Sequence, residues 1–286
     1  MPRTFALITI LASAFILGMI TVSFVSAQNS APTAEHSDHA ERPFDTPPDL
    51  SLVEVETGFT PAQEDDINAL IEAFLLNNPE IMMAGVERLQ QRQRLAQQEM
   101  ALTGAASNLQ NLIAERNGYV AGANPDEAKV AVIEFFDYHC GFCKQASNLV
   151  RSFTQDDPDV LIAFREYPIL RPESEIAAAA ALAAREQGTY IDFHFAMLNS
   201  NGTLSRERIL QIAKANKLDV KKLEADMESQ SIGNALFETH RIADEMGITG
   251  TPTFVIATLD GEFLEVISGY APERVKIAVE NAKRAR

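Results

Sequence analysis

Cys140 and Cys143 are the only two cysteines in the chain, and they stand as Cys140-Gly141-Phe142-Cys143. Val130 to Phe136, just before them, is apolar, β-branched and aromatic, which reads as a buried strand. After them, Ala146, Leu149, Val150 and Phe153 recur at helical spacing. The order is therefore strand, CxxC, helix. The first turn of a helix carries unpaired N–H groups and the positive end of the dipole. A thiol that titrates near about 8.5 in water falls to roughly 3.5–7.5 in such a place. Cys140 is thus the candidate nucleophile, and Cys143, one turn on, the residue that resolves a mixed disulfide. Two other readings compete. A structural bridge between these residues closes a loop too short to stabilise much. A closed zinc site wants about four ligands, so two of the five histidines would have to join the cysteines.

The elements that position this pair belong to a chain of 286 residues, long enough for one large domain and appendages. Apolar residues make up 46%, enough for a sizeable core. The net charge of −16 argues against nucleic acid as a partner, because phosphate binding needs a basic surface. Arg3, the apolar run from Phe5 to Val25 and the small residues Ser26-Ala27 read as a signal peptide over 1–27. The run is long for such a peptide, and an uncleaved membrane anchor is the alternative. Residues 28–59 are polar and Pro-bearing and read as a linker. His36 and His39 within it read as solvated residues, with a metal contact as the alternative.

Thr60, Pro61 and Gln63 supply the cap, N1 and N3 residues of a helix. Ile67, Leu70, Ile71, Phe74 and Leu75 then form one apolar face. Asn77-Asn78-Pro79 breaks it, and a second helix carries Ile81, Met82, Met83, Val86 and Leu89, reaching as far as Gly104, with more helix to about Arg116. So few helices bury little alone, so their faces must pack on the catalytic domain or another chain, and self-association is the favoured reading. Met82-Met83 reads as core filler in preference to a copper site.

Gly118 to Ala128 leads into the domain that holds the cysteines. Val160 to Tyr167 is a second strand, parallel to the first across a helical crossover. Residues 172–246 read as helical throughout. Gly250-Thr251-Pro252-Thr253 then opens two β runs around Asp260-Gly261, a type I′ hairpin signal, and Pro272 starts a last helix. His194 and His240 read as helix-face residues.

Phe135 to Lys144 with its CxxC, together with Gly250 to Phe254, resembles the DsbA-like thiol:disulfide oxidoreductases. The resemblance implies an α/β thioredoxin fold over about 125–286 with an inserted helical domain, preceded by an N-terminal helical oligomerisation region. Leu75 to Glu80 and the helices around it are similar to the N-terminal region of suppressor-of-copper-sensitivity C (ScsC) proteins, where such helices form trimers. The expected organisation is signal peptide 1–27, linker 28–59, helical region 60–117 and catalytic domain 118–286, with its insertion at about 172–246. By this resemblance Cys140 is the nucleophile, Cys143 the resolving cysteine and Pro252 a cis proline. The Thr251 backbone lies beside the sulfurs and pairs with an extended substrate. Glu134 lies beneath the site, where burial raises its pKa and suits it to move the Cys143 proton. His139 is either a cation that stabilises the thiolate or a surface residue.

Together these readings give a periplasmic or otherwise exported enzyme without a metal or other cofactor. It exchanges disulfides in protein substrates and is recycled by a membrane redox partner. The Gly-aromatic pair between the cysteines leans towards isomerase or reductase, with a DsbA-type oxidase as the alternative. A copper-binding or chaperone protein that uses the two thiolates and His139 is the reading from another class.

Overall fold

The computed structural model describes residues 58–285. The leader reading and nearly all of the linker reading, with His36 and His39, lie outside them. The chain divides into two units, Met1–Asp66 and Ile67–Arg286. In the first, Thr60 caps the first helix among the described residues: its N–H and Oγ1 both donate to Gln63 Oε1, at 2.9 and 3.0 Å.

That helix, α1, spans Pro61–Asn77 and buries no residue. α2 spans Pro79–Leu112, a single helix of 34 residues. Gly104 does not end it, contrary to expectation. A Cβ there would meet the Glu245 carbonyl oxygen at 2.8 Å, so glycine is what lets α2 lie against a later helix. Only from Gly104 onward does α2 bury side chains, among them Leu109 and Leu112. Met82 and Met83 are half exposed and fill no core in this chain.

A short 3-10 turn at Glu115–Asn117 leads into β1 (Tyr119–Gly122). This strand was read only as an entry segment. It pairs antiparallel with β3 (Val160–Glu166). β2 (Val130–Phe136) runs parallel to β3 on one side and antiparallel to β4 (Thr253–Thr258) on the other. β5 (Leu264–Ser268) completes a five-stranded sheet of order β1-β3-β2-β4-β5. The near-continuous apolar runs of β2 and β3 follow from this position, since every residue of both is buried.

α3 (Gly141–Gln155) crosses from β2 to β3. Five helices follow: α4 (Pro172–Arg185), α5 (Tyr190–Leu198), α6 (Arg206–Ala215), α7 (Val220–Met227) and α8 (Gln230–Glu245). α9 (Pro272–Arg284) closes the chain against β4 and β5. One apolar cluster joins one sheet face to α3, α9 and the inserted helices, and a second lies on the other face under α2 and α8. The β4–β5 turn is not type I′. That turn needs positive φ at both central residues, and of Asp260 and Gly261 only Gly261 has it, at 79°. A longer loop forms instead, with Phe263 N donating to Thr258 Oγ1 at 3.0 Å. Among the described residues no helix is long and apolar enough to cross a membrane.

Candidate active site

β2 ends at Phe136, and four residues later Cys140 is the N-cap of α3. Its extended backbone aims Sγ at the unpaired amides of the first turn, and Cys143 N–H donates to that Sγ at 3.4 Å. Both cysteines are free thiols. Across the site, the Thr251-Pro252 peptide is cis, and the Cys140 thiol donates to the Thr251 carbonyl oxygen at 3.2 Å. The structure thus brings Cys140, Cys143, Thr251 and Pro252 to one point.

The two thiols are unlike. The Cys143 thiol bonding to Cys140 pulls the Cys140 pKa down from 9.0 to about 6, against the cost of burial, with the Cys143 and Phe142 amides adding to it. Cys143 is fully buried. Burial, first, and then the bond to Cys140 and the charge of Glu134 push its pKa far above the usual range. Cys140 is therefore the thiol that gives up its proton first, and Cys143 the one that keeps it.

Glu134 sits in the middle of β2, paired with Phe254 on β4 and Phe164 on β3. It is 1% exposed, and its Oε2 has no hydrogen-bond partner. Burial and the neighbouring Cys140 charge raise its pKa to about 8. A carboxyl with that pKa is mostly protonated at neutral pH and half ionised near pH 8, within reach of proton exchange with a neighbouring thiol.

His139 is neither a surface residue nor a cation. Its side chain is 4% exposed. Nε2 accepts the Leu204 N–H at 3.0 Å, which leaves Nδ1 as the N–H that meets Ser174 Oγ at 2.8 Å. Burial lowers its pKa below the usual histidine value. The ring is a neutral strut between the loop that carries Cys140 and the inserted helices.

Asp137, which sequence reasoning passed over, anchors the same loop. Its Oδ1 accepts from His139 N at 2.7 Å and from Ser174 Oγ at 2.8 Å; its Oδ2 accepts from the Ile169 and Leu170 amides at 2.9 and 3.0 Å. An aspartate two residues before the His-Cys pair was the available signal. Its partners Ile169, Leu170 and Ser174, more than thirty residues away, were not readable. His194 is a helix residue, as expected. It is fully buried on α5, with Nδ1 2.9 Å from Tyr138 Oη. Tyr138 and Tyr190 both donate to Glu166 Oε1, at 3.3 and 2.7 Å, which forms a buried polar cluster behind the site. His240, on α8, packs against the Tyr167 ring at 5.0 Å.

Residues 131–274 match the DSBA-like thioredoxin domain, and residues 63–96 the copper resistance protein ScsC N-terminal domain. A thioredoxin-like oxidoreductase from Silicibacter pomeroyi is similar over 61% of this chain and 97% of its own, at 36% identity and TM-score 0.56. Salmonella enterica Typhimurium BcfH covers 78% of this chain and 96% of its own, at 29% identity and TM-score 0.64. A curated relative, the Na(+)/H(+) antiporter NhaA 3 of Salinispora tropica, is 30% identical over 176 residues; these are 60% of this chain and only 27% of that protein. The chain belongs to the DsbA-like thioredoxin domain family and carries a ScsC-type N-terminal segment ahead of that domain.

Proposed function

We propose that the chain is an exported thiol:disulfide oxidoreductase that acts on protein disulfides and works as an isomerase or reductase. The observation that carries this reading is the unequal pair of thiols, one drawn down to about 6 and the other pushed up by burial. The Cys140 thiolate attacks one sulfur of a substrate disulfide, forms a mixed disulfide and expels the other sulfur as a thiolate. In reduction, Glu134 takes the Cys143 proton, Cys143 attacks Cys140, and the substrate's second thiolate leaves. In isomerisation a substrate thiolate attacks the mixed disulfide instead and restores Cys140. A strong oxidase stabilises its thiolate further, to a pKa near about 3.5, whereas the reductant thioredoxin sits near about 7. A Cys140 pKa of about 6 lies towards the second group.

The ScsC-type segment and the outward apolar row on α1 and α2 support a homo-oligomer, a trimer by that resemblance. Leu70, Phe74 and Leu76 are more than half exposed, and burying such a side chain is worth about 1.5–3 kcal/mol. A membrane redox partner would return Cys140 and Cys143 to the dithiol. For the copper reading, both ring nitrogens of His139 are engaged, so only the two thiols of its ligand set are left.

The test compares refolding of scrambled ribonuclease by the reduced protein with oxidation of reduced ribonuclease by the oxidised protein. Fast unscrambling with slow oxidation is expected. The reverse would make the protein a DsbA-type oxidase.

A further inference from the structure

A groove of about 680 Å³ opens beside the Cys140–Thr251 contact, between α2 and the loop ahead of β4. Phe142, from between the two cysteines, and Thr251 line it on the catalytic side. Arg94, Gln97 and Gln98 line it from α2. These three stand at helical i, i+3 and i+4 and so share one face. Their side chains make no hydrogen bond or ion pair with the described residues. Arg274 lines the far wall, bonded to Glu265 at 2.9 Å. No Asp or Glu lines the groove, in a chain with 40 of them against 24 Lys and Arg. α2 meets the body of the domain one to three turns beyond these residues. Gly104 seats the helix on α8, Asn108 Nδ2 donates to Glu245 Oε2 at 2.8 Å, and Arg241 donates to Asn108 Oδ1 at 3.0 Å.

We infer that this groove receives the extended segment flanking the substrate's reacting cysteine, and that Arg94 selects segments with an acidic side chain there. This rests on the dithiol reading above and adds the class of substrate. Gln97 and Gln98 offer amides to the segment's backbone, and Arg94 offers an unpaired charge to its carboxylate. An ion pair at a half-open site is worth a few-fold in affinity and weakens with salt.

The test uses the reduced full-length protein and three quenched disulfide peptides that differ only in their flanks, which are acidic, neutral or basic. Hydroxyethyl disulfide serves as an uncharged control. The expected result is a kcat/KM about fivefold higher for the acidic peptide than for the neutral one, as an exposed ion pair gives. Arg94→Glu abolishes or reverses that order. Arg92→Glu, on the same helix but outside the groove, keeps the order. Equal rates for the three peptides in the unaltered protein would overturn the inference while the dithiol reading stands. The same loss in Arg92→Glu and Arg94→Glu would also overturn it, since the effect would then belong to overall charge. Failure to react with hydroxyethyl disulfide would overturn the dithiol reading, and this inference with it.

Discussion

The Leu204 amide donates to His139 Nε2 at 3.0 Å, so the residue just before the nucleophile is bonded to the loop ahead of α6. The chain Leu204–His139–Ser174–Asp137 ties the start of α3 to the inserted helices through neutral donors and one carboxylate. His139→Ala strands the buried Leu204 N–H and should cost about 1–3 kcal/mol in urea unfolding. The pH dependence has a definite sign. The folded pKa of His139 lies below its unfolded value, so its contribution is complete above about pH 6.5 and is lost as pH falls below that. His194, pulled down by burial to about 3, acts in the same direction. The variant should therefore lose less stability than the unaltered protein between pH 6.5 and 5.

The Cys140 thiolate should appear in a 240 nm absorbance titration with a midpoint near pH 6. Its largest stabiliser is the Cys143 thiol, so Cys143→Ala should move the midpoint upward. A midpoint that stays at about 6 would transfer the effect to the helix amides. Because Cys140 is depressed only in the reduced protein, the reduced form should gain stability over the oxidised form as pH rises through about 6.

The strand, CxxC and helix order was legible because those signals are local: a buried run, two cysteines and a helical period. The Thr251-Pro252 loop was legible only through family resemblance, since nothing local places residue 251 beside residue 140. β1 was missed because three of its four residues are only partly buried and the fourth is exposed, and glycines flank and end it. The neutral state of His139 was not legible, because it depends on Ser174 and Leu204. Met82 and Met83 lie on a face that this chain leaves exposed. Helical periodicity marks an apolar face without saying whether this chain covers it.

α2 should be sensitive at Gly104. Any larger residue meets the Glu245 carbonyl oxygen and Met246 Cγ, at 2.8 and 2.9 Å. Backbone cannot yield there as a flexible side chain would, so Gly104→Val should cost about 1–3 kcal/mol. Gly85, whose Cβ position is open, should accept alanine and gain helix propensity, by about 1 kcal/mol. Thermal unfolding of the two variants checks both signs.

The apolar row of α1 and α2 should decide the oligomeric state. Leu70→Ser with Phe74→Ser removes two outward apolar side chains and touches no core residue. Light scattering at micromolar concentration should show the unaltered chain as an oligomer and the double variant as a smaller species. A monomer in both cases would remove the self-association reading.

Glu134 gives a prediction that separates the two halves of the chemistry. Its carboxyl is buried and raised to about 8, so the folded state prefers it protonated. That stability is complete below about pH 4.5 and is lost as pH rises towards about 8, at roughly 1.4 kcal/mol per unit. Glu134→Gln keeps the shape and removes the ionisation, so its stability should gain on the unaltered protein across that window. The same change leaves Cys143 without a proton acceptor. Release of reduced substrate, which needs the Cys143 thiolate, should slow by roughly 100-fold. Isomerisation resolved by the substrate's own thiol bypasses Cys143 and should keep most of its rate. Equal slowing of both would place the effect of Glu134 on Cys140, whose charge it also faces.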